Sequence, residues 1–190
     1  MPQQVPDPWR SFFAEIDAAL NQEVVLHCLG GFAAKILYGL ARETADVDVL
    51  PIASNSEIDA VITTALEGSS LHKRHGVYLQ IVGVVTVPED YEARLIEMFP
   101  GAFMHLRLFA LDPYDLALSK IERNSQRDRD DVKHLARVVP LDLELLRRRF
   151  EAEVRTYLAL PEREALTLQL WIDAIKEELS NSENDEDTNS

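Results

Sequence analysis

The sequence has little cysteine, no long apolar run and few basic residues, and each shortage excludes a class of protein. Its one cysteine, Cys28, cannot form an internal disulfide, and such sparse use is typical of a reducing compartment. No apolar run approaches the ~20 residues of a membrane-crossing helix. The first six residues, MPQQVP, lack the basic start and apolar core of a signal peptide. We therefore expect a cytoplasmic protein that does not enter membranes.

The shortage of basic residues gives the chain a strong negative charge. Lysine and arginine together number 19 against 33 acidic residues, for a formal net charge of −14. Binding along DNA without sequence preference depends on neutralising phosphates with lysine and arginine. We therefore expect no non-specific DNA binding, although a local basic site is compatible with this total. Residues 181–190 are acidic and contain no large apolar residue, a composition that predicts a disordered acidic tail.

The apolar pattern that is present predicts a mixed architecture. Four β-prone runs predict strands of one sheet at residues 24–29, 46–50, 77–87 and 106–111. Helical spacing or a capping pattern predicts helices at residues 8–20, 32–40, 56–66 and 89–99. Asp112-Pro113 is a strong helix start, and the apolar period stays helical from there. We predict an α+β fold, with a mixed β-sheet flanked by helices in residues 1–111, a helical region in 112–180 and the tail in 181–190.

The first β-prone run ends in two glycines, Gly30 and Gly31, directly before a predicted helix. Glycine lets the backbone approach a phosphate closely, and the start of a helix offers unpaired N–H groups to it. This arrangement predicts a phosphate-binding turn. The alternative is an ordinary strand-to-helix turn, for which glycine is equally suitable.

The second β-prone run carries two aspartates, Asp46 and Asp48. Strand alternation puts both on one face, about 6.6 Å apart along the backbone at ~3.3 Å per residue. Carboxylates on that spacing are suitable ligands for magnesium, a hard cation that prefers oxygen. A phosphate turn and metal-binding carboxylates about 15 residues apart predict chemistry on a nucleoside triphosphate. The alternative is a pair of exposed strand aspartates that cap nearby backbone.

The glycine pair followed by Asp46-Val47-Asp48 resembles the signature of the polymerase-β-like nucleotidyltransferase superfamily. Farther on, Lys120 and the run RDRDD at residues 127–131 resemble the ending of AbiEii-type nucleotidyltransferases, the toxins of type IV toxin–antitoxin pairs, and their relatives. The resemblance covers about residues 23–137. It implies a nucleotidyltransferase fold and transfer of a nucleotide from a nucleoside triphosphate to an RNA or protein hydroxyl. It also implies that an antitoxin protein is a possible partner.

The resemblance implies roles for particular side chains. Asp46 and Asp48 would be catalytic metal ligands, and Lys120 would be a catalytic cation that points toward the triphosphate. The other nucleotide-binding residues implied, besides Gly30 and Gly31, are Arg123, Arg127, Asp128 and Asp131. The alternative for this basic and acidic cluster is a solvated, salt-bridged pair of helices.

One carboxylate of the superfamily pattern is missing here. Relatives use a third acidic residue from a later strand to hold a second magnesium, because two neighbouring dications need several carboxylates to offset their charge. The run at residues 77–87 has no acidic residue and carries Gln80, Val82 or Gly83 at the expected positions; Glu89 and Asp90 only follow it. Two-metal occupancy is therefore doubtful. A nucleotide-binding or interaction module of the same fold, weak or inactive in catalysis, is the alternative function.

Overall fold

Five short strands form one mixed sheet in the computed structural model, which describes residues 4–51 and 55–188. In chain order they are β1 (Val24–Cys28), β2 (Asp46–Val49), β3 (Tyr78–Ile81), β4 (Ile96–Met98) and β5 (Leu106–Ala110). They lie in the order β3-β2-β1-β5-β4. The β2–β3 and β1–β5 pairs are parallel, and the β1–β2 and β4–β5 pairs are antiparallel. The mixed sheet that the sequence predicts is confirmed, with one strand more.

Alternation of side chains gives the sheet one buried face and one open face. Val47, Val49, Leu26 and Leu108 are fully buried, whereas their neighbours in the strands are half-buried or exposed. Burial of these apolar side chains is the main source of stability, at about 25 cal/mol for each Å² removed from water. The same alternation keeps Asp46 and Asp48 together on the open face.

Four helices belong to the sheet-containing part of the chain. They are α1 (Trp9–Ala19), α2 (Gly30–Tyr38), α3 (Ser56–Thr63) and α4 (Ser70–His75). Trp9 and Phe13 of α1 pack on Phe32 of α2, with ring centroids 5.5 and 5.7 Å apart. The cap of α3 is Asn55, whose side chain accepts hydrogen bonds from the backbone N–H groups of Glu57 and Ile58. The sequence pattern did not indicate α4.

The third strand is much shorter than the run at residues 77–87 predicts. Its pairing with β2 ends at Val49 and Ile81, after which the backbone N–H of Val82 donates to the Val49 carbonyl oxygen and β2 stops. On its other edge, Leu79 forms an isolated bridge with Leu66. Val84 is almost fully exposed. The predicted helix at residues 89–99 is wrong as well. A 3₁₀ turn at Tyr91–Arg94 precedes β4, which pairs with β5 and turns Met98 into the core.

The chain divides into two compact units, Met1–Val84 with Glu92–Asp112, and Val85–Tyr91 with Pro113–Ser190. The second unit contains α5 (Pro113–Leu118), α6 (Gln126–Val138), α7 (Leu143–Arg149) and α8 (Pro161–Thr188), with a π-helical turn at Phe150–Val154 and a 3₁₀ turn at Arg155–Tyr157. No strand follows Asp112 in the described residues, as the helical period predicts. The disorder of residues 181–190 stays a prediction. Within the described ranges, every helix is too short or too polar to cross a membrane.

A candidate active site on the open face of the sheet

The turn between β1 and α2 brings the glycine pair against the second strand. Gly30 has φ +68°, a left-handed conformation that side chains rarely adopt. A Cβ atom there would lie 1.9 Å from Oδ2 of Asp48, far inside van der Waals contact. The other glycines with positive φ, at positions 39, 68, 76 and 101, have nothing within 4 Å of such an atom. Gly30 therefore allows the start of α2 to touch the Asp48 carboxylate.

The two aspartates are half-buried on the open face, on either side of the fully buried Val47. Thr44 donates a hydrogen bond from Oγ1 to Oδ1 of Asp46 at 2.5 Å, which fixes that carboxylate. Across the parallel pair, Asp46 lies opposite Tyr78. Partial burial raises the pKa of the Tyr78 hydroxyl, and the negative charges of Glu67, Asp46 and Asp48 raise it further. The site is thus locally negative and suited to a cation.

Gln80 lies directly opposite Asp48 on β3, in the register of the parallel pair. Residues that are partners in a parallel pair point to the same face, so an amide stands beside the aspartates where a third carboxylate would complete the set. Among the described residues, no group of three or more His, Cys, Asp or Glu side chains is arranged to hold a metal. The site offers two carboxylates and one neutral amide oxygen.

The two acidic residues that follow β3, Glu89 and Asp90, have partners in the second compact unit. Glu89 accepts a hydrogen bond from Tyr157 and thereby raises the pKa of that hydroxyl. The backbone N–H of Asp90 donates to Oε2 of Glu153 at 3.4 Å. Glu89 and Asp90 belong to the second compact unit, as do their partners Tyr157 and Glu153.

Arg42 is a residue of this site that the sequence reasoning missed. It is half-buried in the loop between α2 and β2. A Cβ atom on Gly31 would lie 3.4 Å from both terminal nitrogens of its guanidinium, and 3.1 Å from Oγ1 of Thr44. The available signal was a basic residue four positions before Asp46. Lys35, the other cation of this region, lies with Nζ 3.1 Å from Oε1 of Glu43.

The second set of predicted residues lies in the helical unit, where four of them, Lys120, Arg123, Asp128 and Asp131, form an ion-pair cluster. Nζ of Lys120 lies 3.0 Å from Oδ2 of Asp131 and 3.8 Å from Oδ1 of Asp128. Only 3% of the Lys120 side chain is exposed, and the two carboxylates are equally buried. Arg123 donates two hydrogen bonds to Asp128, at 2.8 and 2.5 Å. Arg127 is exposed in the first turn of α6.

Asp128 has a local structural task in addition to its ion pairs. It forms a capping box with Ser125 at the start of α6, where each residue accepts a hydrogen bond from the backbone N–H of the other. Burial alone raises the pKa of Asp128, but hydrogen bonds from Arg123 and Ser125 and the guanidinium charge outweigh it and lower the pKa to about 2. The carboxylate is therefore ionised at neutral pH. Two cations and two anions leave this cluster with no excess charge.

A family model described as a nucleotidyltransferase of unknown function (DUF6036) matches residues 11–179. The match spans most of the chain and includes both the glycine–aspartate site and the Lys120 cluster. No curated protein and no solved structure matches the chain.

Proposed function

Since it matches the family model over most of its length, the chain belongs to the DUF6036 family of nucleotidyltransferases, and we propose that it transfers a nucleotide from a nucleoside triphosphate to a hydroxyl of RNA or protein. The observation that carries this proposal is the contact of Gly30 with the Asp48 carboxylate. It places the N–H groups at the start of α2, which suit phosphate oxygens, beside the carboxylates that suit magnesium.

The residues present fit at least one magnesium ion. Asp46 and Asp48 are half-buried on one face, and both offer the hard oxygen ligands that this ion prefers. When bound, magnesium would offset the charge of the triphosphate and favour ionisation of the attacking hydroxyl. Thr44 holds the Asp46 carboxylate in position, and the glycine pair leaves room for phosphate oxygens beside Asp48.

For the Lys120 cluster we propose a structural role rather than contact with the nucleotide. Lys120 and Arg123 are matched by Asp131 and Asp128 at hydrogen-bond distances, and three of the four side chains are buried. Withdrawing Lys120 from its partners would leave two buried carboxylates short of positive charge, which is strongly unfavourable. Arg127, exposed on α6, stays the predicted nucleotide contact of this region.

The test is isothermal calorimetry of the full chain with a nucleoside triphosphate and magnesium. We expect Asp46→Asn and Asp48→Asn each to weaken binding at least about tenfold, because each removes a charged ligand worth roughly 1.5–3 kcal/mol. Asp59→Asn, which removes an equal charge from the exposed face of α3, is the matched control and should bind as the unmodified protein. Unchanged binding in both site variants would contradict the proposal.

The register of Gln80 favours a second candidate function, that of a nucleotide-binding module with little or no turnover. With two carboxylates, the site should hold one magnesium well and a second poorly, since a second dication needs compensating charge. Gln80→Glu should raise the number of bound Mn²⁺ ions from one toward two in the presence of a non-hydrolysable triphosphate. Gln22→Glu adds the same charge at an exposed position before β1 and should leave that number at one. Two bound ions in the unmodified protein would favour a fully competent enzyme.

We also propose, from the resemblance to AbiEii-type proteins, that the chain is the toxin of a toxin–antitoxin pair. Induced expression in a bacterial host should then slow growth, and Asp48→Asn should abolish that effect at equal expression. Equal growth with both proteins would contradict the toxin role and leave the binding of a nucleotide unaffected.

A further inference from the structure

The proposed site needs a cation to offset the charge of its ligand. A triphosphate carries several negative charges and would lie beside two ionised aspartates, whose repulsion one bound magnesium does not fully offset. Lys120 is 3% exposed and bonded to Asp131 within the helical unit. Nζ of Lys35, in α2, lies 3.1 Å from Oε1 of Glu43 and donates to the backbone carbonyl of Arg42 at 3.4 Å. The cation placed at the start of α2 is Arg42.

The position of Arg42 follows from three contacts around the glycine pair. Its two terminal nitrogens lie 3.4 Å from where a Cβ of Gly31 would be, in the first turn of α2. Oγ1 of Thr44 lies 3.1 Å from the same point and is also bonded to Asp46. The Arg42 guanidinium therefore lies beside the first turn of α2, and Thr44 connects this point to the Asp46 carboxylate.

We infer that Arg42 binds the triphosphate of the substrate, and that position 31 is a glycine because a side chain there would lie against the guanidinium and cover it. This inference rests on the proposed function, since it needs a nucleotide at the glycine pair. An arginine suits the role because its planar fork presents parallel N–H groups to two phosphate oxygens, whereas lysine offers a single charged point. Half-burial of Arg42 also limits the orientations of that fork before a ligand arrives.

In this inference Arg42 contacts the phosphates and not the base, so its loss should affect every triphosphate ligand alike. Loss of the guanidinium should weaken binding of all four nucleoside triphosphates and of inorganic triphosphate by the same factor. It should not weaken the site's affinity for Mn²⁺ alone, because the metal is held by Asp46 and Asp48 and the guanidinium charge repels it. Loss of a residue that merely supports the fold would weaken the binding of both triphosphate and Mn²⁺.

The experiment is calorimetric titration of the full chain with inorganic triphosphate plus magnesium, and separately with Mn²⁺. We expect Arg42→Gln to weaken triphosphate binding about 10- to 100-fold, the range for a charged hydrogen-bonding partner, with no loss of Mn²⁺ affinity. Arg42→Lys should recover only part of the loss. Arg10→Gln, which removes an exposed arginine of the same unit, should bind both ligands as the unmodified protein.

Gly31→Ala tests the inference without removing the arginine. The added methyl group would lie 3.1 Å from Oγ1 of Thr44 and in van der Waals contact with the guanidinium, where it would cover the nitrogens that the triphosphate needs, so it should weaken triphosphate binding several-fold. Combined with Arg42→Gln, it should cause little further loss, because the guanidinium that it covers is already absent. Equal and independent losses from the two changes would contradict the assigned role of Gly31.

The outcomes separate this inference from the proposed function. If Arg42→Gln and Gly31→Ala bind triphosphate as the unmodified protein while Asp46→Asn does not, Arg42 has no such role and the proposed function stands. If Asp46→Asn also binds normally, the proposed function fails too. If Arg42→Gln does not fold, normal triphosphate binding by a folded Gly31→Ala overturns the inference by itself.

Discussion

Gly30 has two independent reasons to be glycine, a positive φ and an occupied Cβ position, and they predict different measurements. The positive φ affects stability, because an L side chain is strained there. The occupied position affects the site, because the atom that a Cβ would meet is the Asp48 carboxylate. Gly39, which ends α2 at φ +67° with nothing within 4 Å, has the first reason alone.

We predict that Gly30→Ala and Gly39→Ala each lower the free energy of unfolding by about 1 kcal/mol, the usual effect of alanine at a positive φ. Only Gly30→Ala should also weaken binding of magnesium–triphosphate, since Asp48 must rotate away from the new methyl group. Urea unfolding measures the first quantity and calorimetry the second. Loss of nucleotide binding in Gly39→Ala would show that strain in α2, and not the contact with Asp48, is responsible.

Asp128 gives a prediction for pH dependence. Its pKa of about 2 in the folded protein lies below the ordinary value of 3.8, so the ionised carboxylate stabilises the fold above about pH 4. That stabilisation is on the order of 2 kcal/mol and is lost as the pH falls through 3.8 toward 2.

The comparison of the unmodified protein with Asp128→Asn isolates this contribution. In urea unfolding, the stability difference between the two proteins should be roughly half as large at pH 3 as at pH 6. Asp130→Asn, an exposed change on the same helix, should give a small difference that does not vary in this way. A difference for Asp128 that is constant between pH 6 and pH 3 would contradict the lowered pKa.

Residue types and spacing were enough to find some site residues and not others. The alternation of β2 predicts that Asp46 and Asp48 share a face, and they do, because the buried Val47 and Val49 fix the register. Arg42 lies in a loop without periodicity, so no pattern indicates which way its side chain points. Its contact with the glycine pair depends on how that loop folds back, which only the structure supplies.

At the scale of elements, the sheet was predictable in its centre and not at its edges. The runs that became β1, β2 and β5 have buried neighbours and alternate accordingly. The length of β3 depends instead on where β2 ends, and β4 forms by pairing with the edge of β5. Local composition carries no information about either neighbour, which is why residues 82–87 were predicted as strand and residues 96–98 as helix.

The ion pair between Lys120 and α6 gives a prediction at the same scale. Lys120 follows α5, and its bond to Asp131 joins that segment to α6. Lys120→Met should lower the free energy of unfolding by about 3–5 kcal/mol, because it leaves buried carboxylates without their cation. Lys133→Met, a half-buried lysine of α6, should change stability by no more than about 0.5 kcal/mol.

The double variant Lys120→Met/Asp131→Leu distinguishes a structural pair from a catalytic lysine. Removing both charges should restore part of the stability that Lys120→Met loses, since neither charge is then buried alone. Chemical unfolding of the unmodified protein, the two single variants and the double variant measures the coupling energy between Lys120 and Asp131. A stable Lys120→Met that has lost only nucleotide binding would contradict the structural role and support the triphosphate contact that the resemblance implies.

At the scale of the whole molecule, charge restricts how an acceptor is recognised. The net charge of −14 repels the phosphate backbone, and the glycine–aspartate site is itself negative apart from Arg42. An RNA acceptor would therefore have to be bound by contacts to a particular shape or sequence, and not by a general positive field. A protein acceptor or antitoxin is not limited in this way, and a basic surface on it would be attracted to this chain.

We predict that the full chain does not bind random-sequence DNA or RNA at physiological salt. Fluorescence anisotropy of a labelled oligonucleotide should stay flat up to a protein concentration of about 10⁻⁴ M, the weak end of ordinary non-specific binding. A fluorescent nucleoside triphosphate with magnesium, titrated in parallel, should bind and confirm that the protein is active in binding. Lowering the salt should not rescue oligonucleotide binding, because the long-range interaction is repulsive and becomes stronger as screening decreases. Binding that tightens steeply at low salt would instead reveal a basic surface large enough to overcome the net charge, and would favour a nucleic acid as the acceptor.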